Sequence, residues 1–334
     1  MGKITKTRRQ SVSLATAKLV DAKPFSPEQP LPLVIEPVVA DMNLIAWAQN
    51  HREYIQTQLL KHGGILFRNF KVKSVEVFTQ FIQTLADELL EYTYQSTPRS
   101  PVSGNVYTST QYPANQSIPL HSEMAYARNW PLKIWFFCQQ AAQQGGATPI
   151  ADNRRVWQRI APDIKTRFMA RQVMYIRNYY DGIDLPWSQV FQTQHRTEVE
   201  AYCQQAGIHW TWGDNQQLHT HQVCQAVATH PKTQEHVWFN QAHLFHVSAL
   251  PEAARRSLLR NFKPHELPRH ACYGDGSPIE DSVLEEIRAI YQQEAVRFSW
   301  QEGDILMLDN MLISHGREPF VGPRRVVVGM AESC

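Results

Sequence analysis

The sequence contains no C-x-x-C pair, and its cysteines are odd in number: Cys138, Cys203, Cys224, Cys272 and Cys334 each stand alone. That pattern argues against a structural zinc site or a disulfide framework and points to free thiols in a reducing cytoplasm. Long apolar runs are missing too. Nothing approaches the roughly 20 residues of a membrane span, and the basic start "MGKITKTRRQSVSLATAKLV" lacks the apolar core of a signal peptide. No membrane partner is expected. A strong charge of either sign is also absent: the formal net charge is +2 over 334 residues, too mild for a nucleic-acid surface. There is no internal repeat and no low-complexity linker. One domain over residues 31–334, preceded by a flexible arm over 1–30, is the expected organisation.

What is present is ordinary globular material, 43% hydrophobic and 19% charged. Met42 to His62 carries Leu44, Ile45, Trp47, Ile55, Leu59 and Leu60 at helical spacing, and Gly63-Gly64 follow as a stop. Ser74 is placed to cap a helix with the stripe Phe78, Phe81, Ile82, Leu85 and Leu89. The polar stretch from Pro98 to Pro119 reads as loop. Helices are expected around Val156 to Gln172, Thr197 to Gln205, Pro251 to Phe262 and Asp281 to Gln293. Strands are expected in "ILFRNF", around His121, at Ile134 to Cys138, in "DILMLDNMLISH" and in "RRVVVGMA". Strand signals at both ends of a long middle insert point to a β sandwich wrapped by helices rather than a βαβ sheet.

The chemistry starts at "SIPLHSEMAY". Residues two apart on a strand share a face, so His121 and Glu123 point the same way. An imidazole and a carboxylate hold a divalent metal weakly and need a third ligand. His315, in the apolar run "DNMLISHGREPF", is the candidate. Two histidines and one carboxylate form the facial triad of non-haem Fe(II) oxygenases, which leaves three positions for a bidentate co-substrate and dioxygen. His219 with His221, and His243 with His246, are rival pairs. Neither has a carboxylate two residues away, and both read as structural or pocket histidines. Two further features belong to the set. Thr148 follows the Gly145-Gly146 turn, and Arg325 alternates with Val327 on the last strand. A diacid co-substrate needs a fixed cation at its distal carboxylate, which the guanidinium fork supplies and a hydroxyl can share. Pairing of Arg325 with a protein carboxylate, or exposure to water, is the alternative.

Taken together, "LHSEMAY", "FFCQQAAQQGGATPIADNRRVW", "GDILMLDNMLISHGREPF" and "RRVVVGMAE" resemble the taurine dioxygenase-like (TauD/TfdA) Fe(II)/2-oxoglutarate-dependent oxygenases. "HPKTQEHVWFNQAHLFH" and "ACYGDGSPIEDSVLEEIRAIY" are similar to the syringomycin-type aspartyl hydroxylase subgroup of natural-product pathways. The resemblance runs from about Gly63 to the C-terminus. It implies an α+β, mainly β fold: a double-stranded β-helix (jelly-roll) core with flanking helices. It implies iron on His121, Glu123 and His315, and 2-oxoglutarate with its distal carboxylate near Thr148 and an arginine. Taurine dioxygenase itself has aspartate where Glu123 stands. The parent family commonly has its carboxylate-binding arginine four residues beyond Arg325, where this chain has Gly329. Arg325 is therefore the expected partner, with Arg324 as the fallback.

The resemblance further implies Fe(II), 2-oxoglutarate and O2 as cofactor and co-substrates, with succinate and CO2 released. The expected substrate is an amino acid or amino-acid derivative, free or carried by a carrier protein, hydroxylated at an unactivated C–H. Arg128 and Arg317 are candidates to meet a substrate carboxylate, and Trp238 to His246 and the loop before His121 to line the pocket. Family members that halogenate replace the carboxylate with a small residue, so Glu123 argues for oxygenation. Desaturation, a non-catalytic jelly-roll protein and a zinc hydrolase are the alternatives.

Overall fold

The strand signals of the last third lie at the centre of the molecule. The computed structural model describes residues 19–334 except 92, 93, 95, 98, 111 and 181. Ile305–Asp309 and Arg325–Ser333 flank Pro131–Gln140, each antiparallel to it. These segments are apolar along both faces and largely buried, as strands covered on both sides require. They form the middle of an eight-stranded sheet. Its order is Val20–Ser26, Gln29–Pro37, Gly64–Phe67, Ile305–Asp309, Pro131–Gln140, Arg325–Ser333, Val106–Thr108 and Pro101–Ser103. Gln29–Pro37 runs parallel to Gly64–Phe67, and the other neighbours are antiparallel.

This order overturns the expected mainly-β jelly roll. A jelly roll folds eight strands into two facing sheets through Greek keys. Here the eight strands make one open sheet with Val20–Ser26 and Pro101–Ser103 at its edges, and the other strands fall into separate smaller sheets. Helices and strands take comparable shares of the chain. The fold is mixed α/β, with no closed barrel among the described residues. Part of the reason lies in the entry segment. Residues 1–18 of the expected arm lie outside the described residues, but Val20–Ser26 and Gln29–Pro37 form a hairpin that extends the sheet at one edge.

One face of the sheet is covered by Leu44–Asn50, Arg52–His62 and Val75–Leu85. The helix expected over 42–62 is split at His51 and ends at Gly63, whose φ of 75° closes the last turn. Val75–Leu85 starts where the Ser74 side chain accepts the Val77 N–H. It buries Val75, Phe78, Phe81 and Ile82 in one stripe, and Phe78 stacks on Phe137 at 5.3 Å between ring centroids. On the other face, Phe136, Leu306, Val326 and Val328 share a core with Ile150 and Ile313. Those two belong to a three-stranded sheet ordered Ile118–His121, Ile313–Arg317 and Ile150–Asp152. His121, Thr148 and His315 meet Phe136 and Val326 between this small sheet and the large one.

The middle of the chain holds Asn153–Arg159, Pro162–Arg171, Arg196–Ala206, Glu252–Asn261 and Asp281–Glu294 as helices, close to the expected spans. It also builds a four-stranded antiparallel sheet from His209–Trp212, Leu218–Cys224, Val173–Tyr179 and Arg269–Tyr273. Among the described residues, no helix is long and apolar enough to cross a membrane.

Candidate active site

Ile118–His121 stops at the histidine, and Glu123 lies just past it in a turn. The next residue, Met124, has φ of 55°, a left-handed conformation that non-glycine residues seldom adopt. Buried polar side chains hold the segment in this shape. Asn310 Oδ1 accepts the Glu123 N–H at 2.7 Å, while its Nδ2 donates to the carbonyls of Glu123 at 2.9 Å and Pro131 at 2.8 Å. Asn153 Nδ2 donates to Ser122 Oγ at 2.9 Å and Gln241 Nε2 to the Ser122 carbonyl at 2.7 Å. His243 Nε2 donates to the Leu120 carbonyl at 3.0 Å. Gln241 and His243 fall in the segment Trp238 to His246 expected to line the pocket, whereas Asn310 and Asn153 were not singled out as site residues from the sequence. Their signal is polarity at positions that are otherwise apolar, as in "LDNML".

His315 lies within Ile313–Arg317, directly across from His121 in the antiparallel pairing. Their ring centroids are 4.6 Å apart, and Phe136 packs on His315 at 4.9 Å. His121, Glu123 and His315 each offer one ligand atom, and these atoms lie within 4.8 Å of one another. His121 Nδ1 donates to the Pro119 carbonyl at 2.8 Å, which leaves the Nε2 lone pair for a metal. His315 Nδ1 is buried without a hydrogen-bond partner. Burial depresses the His121 pKa, against the opposing pull of Glu123, and pushes that of His315 well below the ordinary imidazole value, helped by His121 and Arg99. Both imidazoles are therefore neutral at neutral pH, the form that binds a metal. Two neutral nitrogens and one carboxylate fit a divalent transition metal.

The Glu123 carboxylate has a protein partner: Arg99 Nη2 donates to Oε2 at 2.5 Å, and both side chains are 3% exposed. Arg99 lines one pocket with His121, Thr148, His315, Arg317 and Arg324.

Of the two adjacent arginines at the start of the last strand, the structure brings Arg324, just before it, to this pocket and leaves Arg325 out of it. Arg324 Nε donates to the Gly146 carbonyl at 3.0 Å, and Nη2 lies 3.5 Å from Thr148 Oγ1. Trp300 Nε1 donates to the same hydroxyl at 3.0 Å. Arg325 is exposed. It shares its face with Val327, which packs in the core under Val75–Leu85, whereas Val326 lines the pocket. Gly329, where the parent family commonly has its arginine, is also on the helix side. A Cβ there would meet Ile82 Cδ1 at 2.6 Å, so an arginine at that position has no route to the site. Burial pushes the Arg324 pKa down to about 10, with Arg317 adding to the effect, and the group is still cationic at neutral pH.

The other expected substrate contacts have different partners. Arg317 Nη1 donates to the Tyr112 carbonyl at 2.9 Å, and Nη2 to Pro113 at 2.6 Å and Gln116 at 2.7 Å. It fixes the loop before His121. Arg128 Nε donates to the Val223 carbonyl at 3.1 Å and lines a separate cavity with Tyr94, Met124 and Tyr202. His219 Nδ1 meets Asn178 Oδ1 at 2.7 Å, and His221 stacks on His209. Neither belongs to a cluster of three metal-ligating groups among the described residues.

Residues 25–331 match the family described as "Taurine catabolism dioxygenase TauD, TfdA family". The dapdiamide synthesis protein DdaC of Enterobacter agglomerans is 43% identical over 274 residues, which is 82% of this chain and 83% of that protein. The clavaminate synthase-like protein At3g21360 of Arabidopsis thaliana is 28% identical over 323 residues, 91% of this chain and 94% of that one. Among solved structures, PvcB from Pseudomonas aeruginosa superposes with a TM-score of 0.55 at 14% identity, covering 98% of this chain and 94% of the other.

Proposed function

The chain belongs to the taurine catabolism dioxygenase TauD, TfdA family and is an Fe(II)- and 2-oxoglutarate-dependent oxygenase, and we propose that His121, Glu123 and His315 hold its iron. The convergence of their ligand atoms within 4.8 Å carries this reading. With 2-oxoglutarate and dioxygen, bound iron supplies the oxidation of an unactivated C–H bond, and succinate and CO2 leave. The protein's part is to bind, orient and keep water out. His121 presents Nε2 because its Nδ1–H donates to the Pro119 carbonyl. Asn310 fixes the Glu123 backbone from both sides.

Arg324 and Thr148 are the proposed seat of the distal carboxylate of 2-oxoglutarate. Trp300 donates to Thr148 Oγ1, so the threonine's own proton is free to donate to that carboxylate. No carboxylate pairs with Arg324 among the described residues, and a dianion supplies the missing charge. Arg325 is set aside because it is exposed and lies on the opposite face.

We assign hydroxylation of an amino acid or amino-acid derivative, free or on a carrier protein, in a biosynthetic pathway. The similarity to a dapdiamide synthesis protein supports this. A carboxylate ligand at 123 leaves no position of the triad open to a halide. The described cysteines are all free, which supports a reducing, cytoplasmic setting. The test is anaerobic addition of Fe(II) and 2-oxoglutarate, followed by a panel of free and carrier-bound amino acids in air. A visible charge-transfer band, lost in His315→Ala, and succinate release coupled to a hydroxylated product are expected. A folded protein without the band refutes the site.

A further inference from the structure

We propose that Arg99 is a positioning residue that occupies one oxygen of Glu123, so that this carboxylate binds the metal through its other oxygen alone. The proposal rests on the assignment of Glu123 as an iron ligand. Its physical basis is a count of positions. An octahedral metal with a three-point protein set has three positions left. A chelating 2-oxo acid takes two and dioxygen the third. Carboxylates bind cations with one oxygen or with two, and two-point binding by Glu123 would remove a position the reaction needs.

Glutamate is the carboxylate prone to this. Its side chain has one methylene more than aspartate and hence one more torsion through which to swing both oxygens onto a cation. The bonds from Asn310 fix the backbone of Glu123 but leave the side-chain torsions open. Arg99 acts at the far end, with Nη2 at 2.5 Å from Oε2. Both side chains are 3% exposed, so the contact is charge-assisted and shielded from water, the setting in which such bonds are strongest. The geometry leaves Oε1 for the metal.

The test uses Co(II) as a spectroscopic substitute, with 2-oxoglutarate absent at first. Wild type and Glu123→Ala come first. Loss of Co(II) binding in Glu123→Ala establishes the ligand, and unchanged binding defeats the iron-site reading before Arg99 is tested. With the ligand established, Arg99→Met is expected to bind Co(II) within tenfold of wild type. Its visible d–d spectrum should change in the absence of co-substrate, reporting a changed coordination number. The 2-oxoglutarate concentration for half-saturation should then rise about 10–100-fold. Arg99→Lys, which keeps the buried charge, should lie between the two. An unchanged Co(II) spectrum in folded Arg99→Met overturns the proposal even if 2-oxoglutarate binding weakens, because Arg99 would then act on the co-substrate directly. A fall in Co(II) affinity as large as the fall in 2-oxoglutarate affinity also overturns it, because Arg99 would then only build the site.

Discussion

Replacing Arg324 by glutamine should weaken 2-oxoglutarate binding by about 100-fold, while Arg325→Gln should change it by no more than about twofold. The magnitude follows from where the two charges sit. Arg324 is half-buried, tied to the Gly146 carbonyl and within 3.5 Å of Thr148 Oγ1. Its charge survives at neutral pH despite burial, with a pKa of about 10. Removing one member of a buried charge pair costs about 3–5 kcal/mol. The lower end applies to a half-buried group, and about 3 kcal/mol is roughly a hundredfold. Arg325 is exposed, and a surface change away from special features stays within about 0.5 kcal/mol. The assay is anaerobic titration of the Fe(II)-loaded protein with 2-oxoglutarate, following the charge-transfer band, with the half-saturating concentration from succinate release as a second measure. A steep rise in Arg325→Gln together with a normal Arg324→Gln would falsify the placement of the two side chains on opposite faces of the last strand.

Three further outcomes are expected. Asn310→Ala removes bonds to the Glu123 N–H, the Glu123 carbonyl and the Pro131 carbonyl. At about 1 kcal/mol each, urea unfolding should show a loss of about 3 kcal/mol, and a loss below about 1 kcal/mol refutes the clamp. Gly329→Ala places a Cβ 2.6 Å from Ile82 Cδ1; it should destabilise the fold by about 1–3 kcal/mol in thermal melts while leaving 2-oxoglutarate half-saturation unchanged. Burial lowers the His243 pKa from 6.5 to about 4, so the unfolded chain takes up a proton that the folded chain refuses. Stability from this group is fully present above pH 6.5 and is lost as pH falls towards 4, by about 3 kcal/mol at most. His243→Gln keeps a donor for the Leu120 carbonyl and should flatten that acid slope in denaturant titrations at pH 7, 5.5 and 4.5; an unaltered slope assigns the acid sensitivity elsewhere.

The local elements were legible wherever one residue pattern suffices. Val75–Leu85 has its cap and its stripe within its own residues. Sheet closure is a different kind of property, because a strand does not state its neighbours. "VDAKPFS", with Asp21, Lys23 and Pro24, falls in the flexible arm expected over 1–30, yet pairing with Gln29–Pro37 makes it an edge strand. Val173–Tyr179 carries Arg177 and Asn178, which argue against burial. Asn178 is nonetheless buried, because its side chain donates to the carbonyls of His265 and Leu267. The first departure comes from a hairpin partner next in the chain and the second from carbonyls far along it; the hairpin extends an open sheet where a jelly roll is expected.

At the site, residue type was informative and direction was not. His121, Glu123 and His315 stand out because apolar segments seldom carry such groups; the antiparallel register sets His315 opposite His121, and the turn held by Asn310 brings Glu123 to them. Arg324 and Arg325 are chemically alike and adjacent, so alternation sends them to opposite faces. Both faces of that strand are apolar, Val326 and Val328 on one and Val327 on the other, so the pattern alone does not say which face sees the pocket. The helix Val75–Leu85 decides it. Ile82 occupies the space beside Gly329, which makes the face of Arg325, Val327 and Gly329 the packed side and turns Arg324 towards Thr148. A guanidinium at 329 would be buried against that helix, so the proposed anion-binding role goes to Arg324, just before the strand and on its other face.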